Sequence, residues 1–286
     1  MKKAILVAII GAMTLGVNAG DWGKAPVPAK APIEECVDIG GSISAGYMTD
    51  YIFYGVRFAR DSVWTDVNYT FDNLIVPINV GAWYLNGINP AGVDELDLYI
   101  AAELGTYYGF DVSLGYTHFF FPEGGFPSYG EIGLDIARSF SIVDFAWETN
   151  YAFNERGAGV VGGSTGGGWY HQASLSKEFG LTDKVSLVIT GGVGWSNGYF
   201  NGGATFFNPG VVAGQGLARA NGINHYFVTA ELPIELNCRA TLTPYISYNG
   251  TPSGSVANNL GGPANGMLPN ASSDVLSGGV SLSVSF

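Results

Sequence analysis

The stretch ELDLYIAAEL, residues 95–104, sets Glu95, Asp97 and Glu103 on alternate positions, with Leu96, Leu98, Ile100, Ala102 and Leu104 between them. An extended chain turns successive side chains to opposite faces, so this segment has one acidic face and one aliphatic face. The same period of two puts Asp66, Asp111, Glu131, Asp135, Asp144, Glu148, Glu178 and Glu231 opposite apolar neighbours. Eleven carboxylates thus fall on one common face. The basic residues past the first turn of the chain, Lys24, Lys30, Arg57, Arg60, Arg138, Arg156, Lys177, Lys184, Arg219 and Arg239, fall in connections or at strand ends. The acidic face therefore lacks an evident permanent counter-charge. Crowded carboxylates need water, cations or protons around them. The chemistry they offer is attraction of cations, as rings of Asp and Glu provide in cation channels.

Other chemistry-bearing residues are less coherent. His118, His171 and His225 lie on separate segments with no metal-ligand spacing, so neither metal nor cofactor is expected. His118 and His171 fall in the aliphatic phase, as a histidine of a membrane-embedded phospholipase would, but neither has a serine two residues away on its face. The segment GAGVVGGSTGGG, residues 157–168, contains the letters of a dinucleotide fingerprint and of a G-x-S-x-G elbow. Neither has the strand-to-helix context that gives those letters meaning, and the segment reads as a loop. Cys36 precedes the first strand and Cys238 sits in a short turn. In an exported chain such a pair suggests a disulfide that pins the N-terminal segment to one end of the fold.

The elements that would hold the acids apart from the aliphatics are strands. The alternation predicts them at 39–53, 63–71, 76–84, 95–104, 110–119, 130–137, 142–153, 168–179, 185–195, 224–234, 240–248 and 275–286. Each is close to the roughly 9 to 11 residues that a tilted strand needs to cross a bilayer. The connections alternate in length. Short turns are expected at 71–73, 108–109, 138–141, 180–183 and 235–238, and long loops at 54–62, 85–94, 120–129, 154–167, 196–223 and 249–273. Short turns on one side and long loops on the other are the pattern of an outer-membrane barrel. A sheet in hydrocarbon must close on itself, because an open edge would leave amides unpaired. The expected fold class is all-β: an up-and-down antiparallel transmembrane barrel of about 12 strands with both termini periplasmic.

Composition agrees. The chain has 43 Gly, 14% aromatic and only 13% charged residues, with a mean hydropathy of +0.20. It also has 24 Asp+Glu against 12 Lys+Arg, which makes nucleic acid an unsuitable partner. Lys2 and Lys3 precede an apolar run to about Val17 and a small-x-small sequence ending at Ala19. Residues 1–19 therefore read as a cleaved secretory signal peptide. Residues 20–36 read as a Pro/Ala-rich periplasmic linker, and 37–286 as the barrel. Tyr51, Phe53, Tyr69, Phe71, Tyr84, Tyr107, Phe110, Phe153, Trp169, Phe179 and Trp195 lie near strand ends, where interfacial girdles form.

The run Ser44-Ala45-Gly46-Tyr47-Met48-Thr49-Asp50-Tyr51-Ile52-Phe53-Tyr54-Gly55-Val56 resembles the first-strand pattern of the TorF-type porin family, an uncharacterised outer-membrane group that reads S-D-Y-x-F-R-G here. Thr49 and Tyr54 depart from that pattern. The resemblance implies a barrel and no mechanism.

The reading is an outer-membrane channel for passive diffusion of small polar or cationic solutes through an acidic lumen. The alternative is a closed barrel, its acids hydrogen-bonded to Tyr99, Tyr170, Tyr245 and Gln172, with a structural or adhesive role for the outer loops. An outer-membrane phospholipase-like enzyme comes third. Expected partners are outer-membrane lipid, the barrel-assembly machinery and small solutes or cations. Val280, Leu282, Val284 and Phe286 alternate with small residues in the last strand, as in an aromatic assembly signal.

Overall fold

A computed structural model describes residues 39–89, 93–123, 128–153, 168–197, 199, 221–250 and 274–286. The expected signal peptide and linker, with Cys36, lie outside the described residues, as do the loops at 154–167 and 251–273 and most of that at 196–223.

The described chain forms β1 (Gly41–Phe53), β2 (Val56–Phe71), β3 (Ile78–Asn89), β4 (Val93–Tyr107), β5 (Phe110–Phe120), β6 (Tyr129–Ser139) and β7 (Asp144–Phe153). It continues with β8 (Gly168–Gly180), β9 (Ser186–Asn197), β10 (Asn221–Glu231), the two-residue β11 (Ile234–Glu235), β12 (Ala240–Gly250) and β13 (Asp274–Ser285). Each neighbour is antiparallel. β13 pairs with both β12 and β1, and β10 with both β9 and β12, so the ring is closed. β11 is a small side pairing inside the β10–β12 connection. The barrel therefore has twelve wall strands, as the alternation predicts.

The seam is made by the two ends of the described chain. Ser42 faces Ser285 and Met48 faces Gly279 in the β1–β13 ladder. Phe286 extends it, its amide donating to Gly41 O (2.9 Å) and its carbonyl accepting from Ile39 N (3.0 Å) and Gly41 N (3.2 Å). The Phe286 ring lies over Gly41 so closely that a Cβ there would collide with it.

The outer wall is aliphatic. Ile43, Val67, Leu98, Ile100, Leu114, Ile132, Leu175, Val228, Ile246 and Leu282 are all exposed. Their inward neighbours, among them Ser44, Asp97, Ser113, Glu131, Asp135, Glu148, Thr229 and Ser281, are buried. A soluble fold would invert this distribution.

One expected loop is absent. In place of a loop over 54–62, β1 and β2 join through the two-residue turn Tyr54-Gly55, and β2 begins at Val56. Both turn residues have positive φ (50° and 80°), the same conformation as Tyr108-Gly109 (53° and 80°) between β4 and β5. That is the hairpin geometry whose twist suits the flanking strands. The two turns end differently: Tyr108 is 98% exposed and Tyr54 only 5%.

Candidate functional site

The end of the β1–β2 hairpin bends into the barrel. The bend has two local causes: the β1–β2 register slips between Tyr51 and Ile52, and Asp61 takes a left-handed φ of 52°. Beyond it Tyr51, Ile52, Phe53, Tyr54, Arg57, Phe58 and Ala59 are all buried. Tyr51 and Phe53, expected in an interfacial girdle, thus sit inside the lumen, whereas Tyr69, Phe71, Tyr107, Trp169 and Phe179 stay on the outer wall.

The inserted tip meets strands from most of the ring. Tyr54 stacks on Tyr170 of β8 at 3.6 Å between ring centroids and on Phe53 at 3.9 Å. Tyr51 packs 5.6 Å from Trp83 of β3, and Phe53 packs 5.7 Å from Phe119 of β5. Ile52 clusters with Val275 of β13. Gly55 approaches His225 of β10 so closely that a Cβ would lie 2.7 Å from the histidine's own Cβ, which leaves room for glycine alone. The tip is therefore a plug near the long-loop end.

The acids divide into two groups. Glu95, Asp97, Glu131, Asp135 and Glu148 are each at most 4% exposed and line β4, β6 and β7. Asp66 on β2 and Glu231 on β10 are half-buried on the same inner face. Glu103, Asp111, Asp144 and Glu178 lie near the short-turn ends of their strands; Glu178 is exposed there and Asp111 accepts from Thr106.

The plug supplies donors to the buried group. Tyr51 Oη donates to Glu95 Oε1 (2.9 Å) and Tyr54 Oη to Glu131 Oε2 (3.1 Å); Tyr199, from the β9–β10 connection, also donates to Glu131. Deeper, Asn150 Nδ2 donates to Glu148 Oε1 (2.9 Å), and Tyr99 Oη and Asn68 Nδ2 donate to Asp66 (both 2.8 Å). Of the donors named from sequence, Tyr99 and Gln172 reach an acid. Tyr170 instead donates to Gln172 Oε1 (3.0 Å), while Gln172 Nε2 donates to Glu148 Oε2 at 3.5 Å, and Tyr245 Oη has no partner.

The lumen also holds a counter-charge that the sequence pattern misses. Arg57, expected in a loop, is 6% exposed, and its Nη1 donates to Asp50 Oδ1 at 3.1 Å, while Nε and Nη2 have no partner. It is the only buried Lys or Arg among the described residues. Asp50, absent from the alternation-based set, accepts from Thr49 as well. Charged groups this buried are costly unless paired, so the pair fastens the tip to its own hairpin.

Neither a family model nor a curated protein matches this chain. Solved structures do. The chain is similar to the NanC porin, with TM-score 0.49, 9% identity, and 86% of this chain and 100% of that chain covered. It is also similar to the KdgM porin in complex with disordered oligogalacturonate (0.48, 8%, 86% and 99%) and to an outer membrane channel from Pseudomonas putida F1 (0.46, 10%, 92% and 100%).

His225 is buried inside, whereas His118 and His171 take the outward phase; Tyr116 Oη is 3.0 Å from His118 Nδ1, and Thr149 Oγ1 is 2.7 Å from His171 Nδ1. The His171 ring stacks among Trp169 and Trp195, an amphipathic aromatic cluster on the outer wall. Cys238 is disulfide-bonded, and Cys36 is outside the described residues. Val280, Leu282 and Val284 face outward on β13, beside the Phe286 contact with Gly41.

Proposed function

We propose that the protein is an outer-membrane channel for small cationic or polar solutes, and that this structure is its closed conformation, with the β1–β2 tip as the plug. One observation carries the reading: a closed wall with an aliphatic exterior has an interior lined by carboxylates, with Arg57 as its only buried Lys or Arg among the described residues. The outside matches hydrocarbon and the inside matches cations. Short turns and both described chain ends belong on the periplasmic side in this reading, and the signal peptide and Phe286 serve export and assembly. We extend the same proposal to kinship with the TorF-type family, because residues 44–56 are the stretch that runs from wall into plug.

The test is the reversal potential of purified protein in a planar bilayer under a salt gradient, for the full chain and for a variant with the Phe53–Phe58 tip replaced by a short Asn-Gly turn. Cation-selective current, larger in the variant, is the expected result. Anion selectivity, or silence in both, overturns the reading.

The closed barrel with a structural or adhesive role is the second reading, favoured by the donors that Tyr51 and Tyr54 bring to Glu95 and Glu131. It requires that deletion of residues 251–273 abolish surface attachment while conductance stays absent.

A further inference from the structure

Among the buried acids, two oppose one another across the wall, and among the described residues Glu148 accepts only from Asn150 Nδ2 (2.9 Å) and, at 3.5 Å, from Gln172 Nε2. Asp135 of β6 and Glu148 of β7 are direct cross-strand neighbours on the inner face. Like charges directly opposite one another repel at Cβ separations of about 4.5–5.5 Å. Asp135 is 1% exposed; its Oδ2 receives a long bond from Ser113 Oγ (3.4 Å) and its Oδ1 has no partner. Asn150 is fully buried two residues from Glu148 on the same face. Its amide nitrogen is committed to Glu148, and its Oδ1 is a second acceptor without a partner. Neither oxygen exposes surface, so bulk water is not the missing partner. Arg57, the buried cation, is engaged with Asp50 on the hairpin.

Every unsatisfied atom here is an oxygen acceptor, and the two facing carboxylates carry two formal negative charges. A buried group of acceptors alone is completed by a donor or by a hard cation. We infer that Asp135, Glu148 and Asn150 Oδ1 form an interior site for one hard divalent cation of the Ca2+ type. The site holds the two middle strands together at a point where the bare wall would repel itself. It does not require that the barrel conduct, so it stands apart from the channel reading.

The test uses the full chain folded in detergent micelles, stripped with chelator and then titrated with CaCl2 at constant ionic strength. The expected result is a saturable rise in unfolding temperature, with calorimetry giving about one tight ion per chain. The rise should vanish in D135N/E148Q and persist in D144N/E178Q, whose acids lie at the short-turn end. Should D135N/E148Q not fold, Asn150→Ala is the second variant, expected to weaken calcium binding several-fold. No calcium-dependent rise, or an undiminished one in both D135N/E148Q and Asn150→Ala, overturns the site. So does an equal rise with monovalent salt. Cation-selective current without a calcium effect sinks the site and leaves the channel, and the reverse result sinks the channel and leaves the site.

Discussion

The ring of Tyr54 lies 3.6 Å from that of Tyr170, with 17° between their planes. This stack joins a turn residue to the far wall and holds the hairpin tip in the lumen. Tyr54 keeps it despite a φ of 50°, a conformation that costs a bulky residue about 1–2 kcal/mol. Tyr54→Asn removes the stack and the bond to Glu131, and suits the turn better. An aromatic pair is worth about 0.5–1.5 kcal/mol beyond its buried area. Open probability in single-channel recordings should rise on the order of tenfold, while thermal stability changes little. Unchanged recordings would remove Tyr54 from the closing device.

Asp50 and Arg57 lock the tip from within. Asp50→Asn leaves a buried guanidinium uncompensated, and breaking such a pair typically costs about 3–5 kcal/mol. Removing both charges, as in D50N/R57M, should cost less than D50N alone. Denaturant unfolding of D50N, R57M and D50N/R57M measures this; strict additivity would mean that the two groups do not interact.

Phe286 packs on Gly41 across the seam. Gly41→Val obstructs that ring, and deletion of Phe286 removes both the ring and its ladder bonds. Each should lower the amount of heat-modifiable, folded barrel in outer-membrane fractions, with the deletion the stronger. Normal levels in the deletion would separate Phe286 from assembly.

Cys238 is disulfide-bonded, and the chain has two cysteines. Unreduced protein in denaturant should therefore titrate with no free thiol, and Cys238→Ser should expose one. Two free thiols in the unmodified protein would contradict the bridge.

Much of the wall is legible in the sequence, because lipid outside and acid inside impose a strict period of two. Leu98 and Ile100 facing out beside Asp97 is the pattern at its clearest. The plug was not readable in the same way. From Tyr51 to Tyr54, and again at Arg57, Phe58 and Ala59, successive residues are all buried, so the alternation between two solvents disappears and the segment imitates a loop. A signal did exist: Tyr54-Gly55 repeats Tyr108-Gly109, which was readable as a short turn. Arg57 lies beyond the left-handed Asp61, off the phase that carries Ser62, Trp64 and Asp66 inward, and so reads as loop, whereas Asp50 keeps the inward phase of Ser44 and Met48 and is legible from the alternation itself.

The inward bend also leaves a trace in the wall. β13 runs from Asp274, but its ladder with β1 stops at Gly279, opposite Met48, and Gly278 N bonds instead to the Thr49 side chain. The staves that would continue the ladder are the very residues now used as the stopper. Moving them outward would exchange ring stacking for backbone bonds worth about 0.5–1.5 kcal/mol each. Stopper and missing stave are therefore one segment, so in the proposed channel unstoppering and mending the wall would be a single motion.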